Sequence, residues 1–403
     1  MRRSFAAGLA ALTLLLLAGC GGSKASPSEV PEQPSEEPAP PEPTTEELAA
    51  REIETILSSL TLEEKVGQLF FVRCPAEHAI EDIGTYHLGG YLLFGRDYQD
   101  AAGSWLREEQ FVQTITAYQD AALADTGIPL LIGSDEEGGT VTRASRNPNL
   151  FSSPFRSPQQ IAAEAGGRGE AFAEDALEKS NGLKNLGINV NLSPVADVST
   201  EPKDFIYDRA LGQDAQSTAD YVASVVAAVR EAGGMGSVLK HFPGYGNNVD
   251  THTGIAVDQR SLESFFSSDF LPFQAGIRAG GGTAAVLVSH NIMTAVDETL
   301  PSSLSPAVHQ LLREDLGFDG VVMTDDLAMD AVAAYAQDGA VAVLALEAGN
   351  DLIITTDYRT QIPKVMQALE AGELEESVID AACRRVLTWK QTLGLLLPGE
   401  RIS

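Results

Sequence analysis

Leu130-Leu-Ile-Gly-Ser-Asp135 is apolar almost throughout, does not alternate, and ends on a carboxylate. Such a run fits a strand buried on both faces, as in a parallel sheet covered by helices. Seven further runs share the pattern: Leu69–Arg73, Gly90–Phe94, Ile188–Asp197, Ser237–Phe242, Ala284–His290, Gly320–Asp325 and Asp351–Thr356. Between them lie stretches such as Ala215–Ala232, with apolar residues at helical spacing. Eight β/α units predict an α/β fold, a single (β/α)8 TIM-type barrel, with a doubly wound open sheet as the alternative. Only the first interval, about twenty residues, is tight for a crossover.

A barrel builds its site at the carboxyl ends of its strands. Those ends here are Arg73, Asp135, Asp197, Lys240-His241, Ser289-His290 and Asp325, a polar set that packing alone does not explain. Ahead of the first run, Thr44 with Glu47 and Thr61 with Glu64 form capping boxes for two helices. A last helix spans Glu376–Leu393.

The N-terminus reads differently. Arg2 and Arg3 precede an apolar run from Phe5 to Ala18, too short to cross a bilayer, which ends in Leu17-Ala18-Gly19-Cys20. This looks like a bacterial lipobox, and implies lipid on Cys20 and an extracytoplasmic, membrane-anchored protein. Residues 21–43 hold seven prolines and little that packs, the composition of an extended, disordered tether. The expected division is 1–20 leader, 21–47 tether and 48–398 catalytic barrel.

The 403 residues carry 57 acidic against 27 basic side chains, a net charge of −30, and most of it falls on the folded body. That sign repels phosphate backbones and excludes nucleic acid as an expected partner. Three cysteines form no disulfide framework, though Cys74 and Cys383 could meet if the first strand lies near the last helix. The His and acidic residues fit no zinc or calcium spacing, so neither metal nor cofactor is expected.

Three stretches carry a resemblance. They are Pro129-Leu-Leu-Ile-Gly-Ser-Asp135-Glu-Glu-Gly-Gly-Thr-Val-Thr-Arg143, Leu239-Lys-His-Phe-Pro-Gly-Tyr-Gly-Asn-Asn-Val-Asp250-Thr-His252, and Gly320-Val-Val-Met-Thr-Asp325-Asp326-Leu-Ala-Met329. In order and spacing they resemble family 3 glycoside hydrolases, in the β-N-acetylglucosaminidase branch, over about residues 55–397. The resemblance implies Asp325 as nucleophile, His252 as general acid/base with Asp250 as its partner, and Asp135, Arg143, Arg209, Lys240 and His241 as sugar contacts. The chain departs from that branch at Tyr245-Gly-Asn-Asn, where His-Gly-Asp-Thr is usual, at Thr140, where arginine is usual, and in a loop one residue shorter before Asp250. These departures fall on contacts beyond the first sugar.

The chemistry fits the residues. A retaining glycosidase needs a carboxylate to attack the anomeric carbon and an acid to protonate the leaving oxygen. Adjacent strand residues point to opposite sides, so one of Asp325 and Asp326 reaches the pocket; the resemblance favours Asp325. Asp250, two residues from His252, can orient the imidazole and stabilise its charged form. The expected activity is a monomeric, retaining exo-β-N-acetylglucosaminidase acting on GlcNAc-terminated glycans such as peptidoglycan fragments. The alternatives are a β-glucosidase or β-xylosidase, a phosphorylase of the same family, and a non-catalytic sugar-binding lipoprotein. His290 reads as a buried, satisfied histidine as readily as a ligand; His78, His87 and His309 read as solvated or structural.

Overall fold

The computed structural model describes residues 43–396, apart from 167–168, 249–253, 334 and 336–339. The leader, Cys20, nearly all of the tether, Asp250 and His252 therefore lie outside the described residues. The folded body starts at Thr44, which caps the helix Thr45–Ser59, so its first turn takes in residues assigned above to the tether. Both expected capping boxes are present, the second at the head of Leu62–Gln68.

The strands are β1 (Phe70–Arg73), β2 (Gly90–Leu93), β3 (Leu131–Ser134), β4 (Val190–Asn191), β5 (Gly236–Phe242), β6 (Ala284–Val288), β7 (Val322–Thr324) and β8 (Ile353–Thr355). Seven fall inside a run read from the sequence, and β5 starts one residue before its run. They pair in parallel in the order β8–β1–β2–β3–β4–β5–β6–β7, and a parallel bridge from Met323 to Leu352 joins the two ends into a ring. The fold is thus the eight-stranded α/β barrel, and the open sheet is excluded. The tight first interval accommodates only the eight-residue helix Ala79–Tyr86, flanked by His78 and His87 in left-handed conformations. A two-stranded parallel ribbon, Val257–Asp258 with Ile292–Met293, lies outside the ring.

Burial explains the patterning. β2, β3, β5 and β6 are buried at every residue, with a covering helix such as Ala215–Ala232 on the outside and the barrel core within. The interior is filled by Phe71, whose ring reaches β3 so closely that a Cβ on Gly133 would lie 2.3 Å from it. The same Cβ would lie 3.2 Å from Leu92, so Phe71, Leu92 and Gly133 share one interior layer. Side chains alternate along a strand, so two residues further on Arg73, Phe94 and Asp135 form the next layer, at the mouth.

Cys74 and Cys383 are both buried and free, so they form no disulfide. Cys74 ends near Tyr118, whereas Cys383 faces the last helix's own neighbours in the core. His87 pairs with Asp125 at 2.9 Å, His78 with Glu81 at 2.9 Å, and buried His309 contacts the Ser305 carbonyl at 2.9 Å. All three have structural partners.

Candidate active site

The loop after β3 turns back on itself through Gly138 and Gly139, both at positive φ, where only glycine is unstrained. Its three consecutive acids take three different roles. Glu136 is fully buried and accepts from the Arg143 amide at 2.6 Å, the Ala144 amide, and the Ser145 hydroxyl at 2.8 Å. It thereby fixes the chain that returns Arg143 to the mouth. Burial raises its pKa, opposed by those hydrogen bonds. Asp135 accepts from Lys240 Nζ at 2.7 Å and stands 3.8 Å from Arg143 Nη2. Glu137 accepts from Arg209 at 2.9 and 2.7 Å, and its Oε1 lies 2.7 Å from Lys240 Nζ.

Lys240 and His241 end β5, where the register against β6 shifts between Leu239 and Phe242. Such an irregularity re-aims side chains at barrel rims. His241 Nε2 lies 3.0 Å from Arg209 Nη2, a donor, so Nε2 accepts and Nδ1 carries the proton. That proton is donated to Asp197 Oδ2 at 2.8 Å. Asp197, fully buried, also accepts from the His241 and Tyr245 amides at 3.1 and 2.7 Å. Asp197, His241, Arg209, Glu137, Lys240, Asp135 and Arg143 therefore form one continuous polar chain around the β3–β5 side of the mouth.

Its electrostatics are mutually reinforcing. Burial alone would raise the Glu137 pKa, but Arg209 and Lys240 overcome it and hold the carboxyl well below the usual range. Against the same burial, Asp135 and Glu137 raise the Lys240 pKa, and Glu137 raises that of Arg209. Glu137, Lys240 and Arg209 are thereby held ionised at neutral pH, fixed charges that can orient sugar hydroxyls.

Asp325 follows β7, four strands round the ring from β3. Its amide donates to the Val288 carbonyl at 3.0 Å and its Oδ1 accepts from the Asp326 amide at 2.8 Å. Asp326 turns away: Oδ1 accepts from the Ala328 and Thr356 amides, and Oδ2 accepts from the Thr356 hydroxyl at 2.9 Å. Its carboxylate pins the end of β7 to the end of β8. His290, fully buried, contacts Ser303 Oγ at 2.7 Å and the Asp326 carbonyl at 3.1 Å, which makes it a satisfied histidine that buttresses this turn.

Five of the expected contacts (Asp135, Arg143, Arg209, Lys240 and His241) thus converge, with Asp325 across the ring. Sequence reasoning missed Glu137 and left Asp197 as a bare strand end. The signal for Glu137 was three successive acids before a Gly-Gly turn at a strand end. Among the described residues no group of three or more His, Cys, Asp or Glu side chains is disposed to hold a metal.

A barrel with a carboxylate after β7 and a buried polar wall on β3–β5 suits hydrolysis of a glycosidic bond, and comparison with known proteins shows the family. Residues 61–389 match the glycosyl hydrolase family 3 N-terminal domain, and the chain belongs to that family. It is 30% identical over 348 residues to the beta-hexosaminidase LpqI of Mycobacterium tuberculosis, covering 82% of this chain and 83% of that one. It is 33% identical over 287 residues to a beta-hexosaminidase of Thiobacillus denitrificans, covering 70% and 75%. A family 3 beta-N-acetylglucosaminidase from Paenibacillus sp. superposes with a TM-score of 0.74 at 30% identity, over 85% of this chain and 65% of its own. The protein is a glycoside hydrolase.

Proposed function

We propose that the protein is a retaining, exo-acting β-N-acetylglucosaminidase that releases terminal β-linked GlcNAc through a covalent glycosyl-enzyme on Asp325. The hexosaminidase names of its relatives support the sugar. The observation that supports the nucleophile is the division of labour after β7: both Asp326 oxygens bind the chain at Thr356 and Ala328, while Asp325 stands across the ring from the polar wall. In this reading the polar wall binds the sugar hydroxyls. His252, oriented by Asp250, protonates the leaving oxygen and then activates water. Lipid on Cys20 holds the enzyme outside the membrane, on a tether, where GlcNAc-terminated peptidoglycan fragments are the natural substrates.

A panel of 4-nitrophenyl β-glycosides tests the proposal. The GlcNAc glycoside should be cleaved at least about 100-fold faster than the glucoside and xyloside, at a rate unchanged by phosphate. Preference for a sugar without the acetamido group would overturn the substrate, and acceleration by phosphate would make the enzyme a phosphorylase. No turnover of any glycoside would leave a binding lipoprotein.

A further inference from the structure

Among the described residues, Arg73 is a cation at the mouth that the polar wall does not use. It ends β1, in the layer above Phe71, and so faces the opening. Its guanidinium carbon lies 4.3 Å from the centre of the Phe94 ring, and that of Arg143 lies 5.5 Å from the same ring. The Nε of each arginine is buried and has no hydrogen-bond partner. Among the described residues Arg73 makes no hydrogen bond or ion pair. The acid that feels its charge, Asp97, is committed elsewhere, to the Phe94 amide at 2.7 Å and to Arg96 at 3.4 Å. A buried guanidinium donor without an acceptor is costly, and such groups in native proteins call for an explanation.

Its place in the ring says what would satisfy it. β1 stands four strands from β5, and β3 four strands from β7, so Arg73 lies across the ring from the end of β5 and Asp135 across from Asp325. If attack and protonation occur on the β5–β7 side, the anomeric carbon lies there and the C4–C6 edge of the sugar lies toward β1–β3. In an exo-acting enzyme O4 of that sugar carries nothing, which leaves O6 as the position for a substituent. A guanidinium matches the oxyanions of a phosphate or sulfate better than a neutral hydroxyl. On so acidic a body, an anionic sugar also needs a local cation to enter.

We propose that Arg73, with Arg143 across Phe94, is a specificity site for an anionic ester, sulfate or phosphate, on C6 of the terminal sugar. The proposal rests on the orientation given under the proposed function. Calorimetry of the intact folded chain with GlcNAc, GlcNAc 6-sulfate and GlcNAc 6-phosphate tests it without turnover. At least one ester should bind about tenfold or more tighter than GlcNAc, the scale of one charge-assisted hydrogen bond. Arg73→Met should bring that ratio to about one, and Arg73→Lys should keep most of it. Equal binding of ester and parent sugar by the wild type, or a ratio that survives in Arg73→Met, would overturn the site. So would a preference shown only for a carboxylate on the leaving sugar, read from the N-acetylmuramic acid disaccharide against chitobiose. Turnover of 4-nitrophenyl β-GlcNAc and its 6-sulfate separates the two levels. No turnover with the binding ratio intact would defeat the enzymatic reading alone, and turnover of both with a ratio of one would defeat this site alone.

Discussion

Replacing Glu137 by Gln removes one charge from a buried triad and leaves its shape. Glu137 Oε1 accepts from Arg209 at 2.7 Å and pairs with the Lys240 ammonium at 2.7 Å, and Oε2 accepts from Arg209 at 2.9 Å. An amide nitrogen in either position would face a cationic donor. Lys240 is 3% exposed and Arg209 16%, so neither cation can recover its loss from water. Breaking one partner of such a buried pair costs about 3–5 kcal/mol. At about 2 °C per kcal/mol for a chain of this size, the melting temperature should fall by about 6–10 °C at pH 7. The pH dependence has a definite sign. The folded pKa of Glu137 lies below its unfolded value of 4.5, so its contribution is complete above that value and is lost progressively as pH falls from there toward the folded pKa. The gap between wild type and Glu137→Gln in urea unfolding should therefore be constant from pH 6 to 8 and narrower by about 1 kcal/mol at pH 4. Equal melting temperatures at pH 7, or a gap that widens on acidification, would refute the claim that this carboxylate holds the wall together.

Other expectations follow from the same geometry. Asp197→Asn removes the charge that accepts the His241 Nδ1 proton and two amides; KM should rise about tenfold, as for loss of a charge-assisted hydrogen bond, with kcat affected less. Burial pushes both the Cys74 and the Cys383 thiols up to about 12. A soluble form beginning at residue 44 should thus give no reaction with Ellman's reagent until denatured and two thiols afterwards; one readily labelled thiol in the folded protein would contradict the packing. His252→Ala should slow glycosides with poor leaving groups about 100-fold or more while sparing the dinitrophenyl glycoside, and equal losses on both would remove its role as the acid.

How much of this was legible in the sequence depended on whether the deciding contacts were local. Strands buried on both faces give unbroken apolar runs, so all eight stood out. The helix Ala215–Ala232 was visible to its ends, with Asp214 as cap and Gly233 at its close. Boundaries failed where backbone hydrogen bonding changes: the run Ile188–Asp197 yields only Val190–Asn191 as strand, because Pro194 has no N–H to continue the ladder, and pairing resumes at Val195 with Lys240. Asp135, Glu136 and Glu137 are indistinguishable as letters. Their roles diverge because the fold brings Arg209, 72 residues away, onto the third of them and folds the Arg143 amide onto the second. The same holds for Arg73, whose isolation is a property of its neighbours in space. The choice of Asp325 over Asp326 rested on the family resemblance, since strand alternation says only that one of the two reaches the pocket; the grip of Asp326 on Thr356 is a contact that only the fold supplies.

The account turns on Asp325 as the attacking group. Incubation with a 5-fluoro-GlcNAc fluoride, proteolysis and fragmentation of the labelled peptide would identify the residue that carries the sugar. The account predicts one glycosyl ester on Asp325, absent from Asp325→Asn and present in Asp326→Asn. An adduct on Asp326, or labelling that survives in Asp325→Asn, would contradict it.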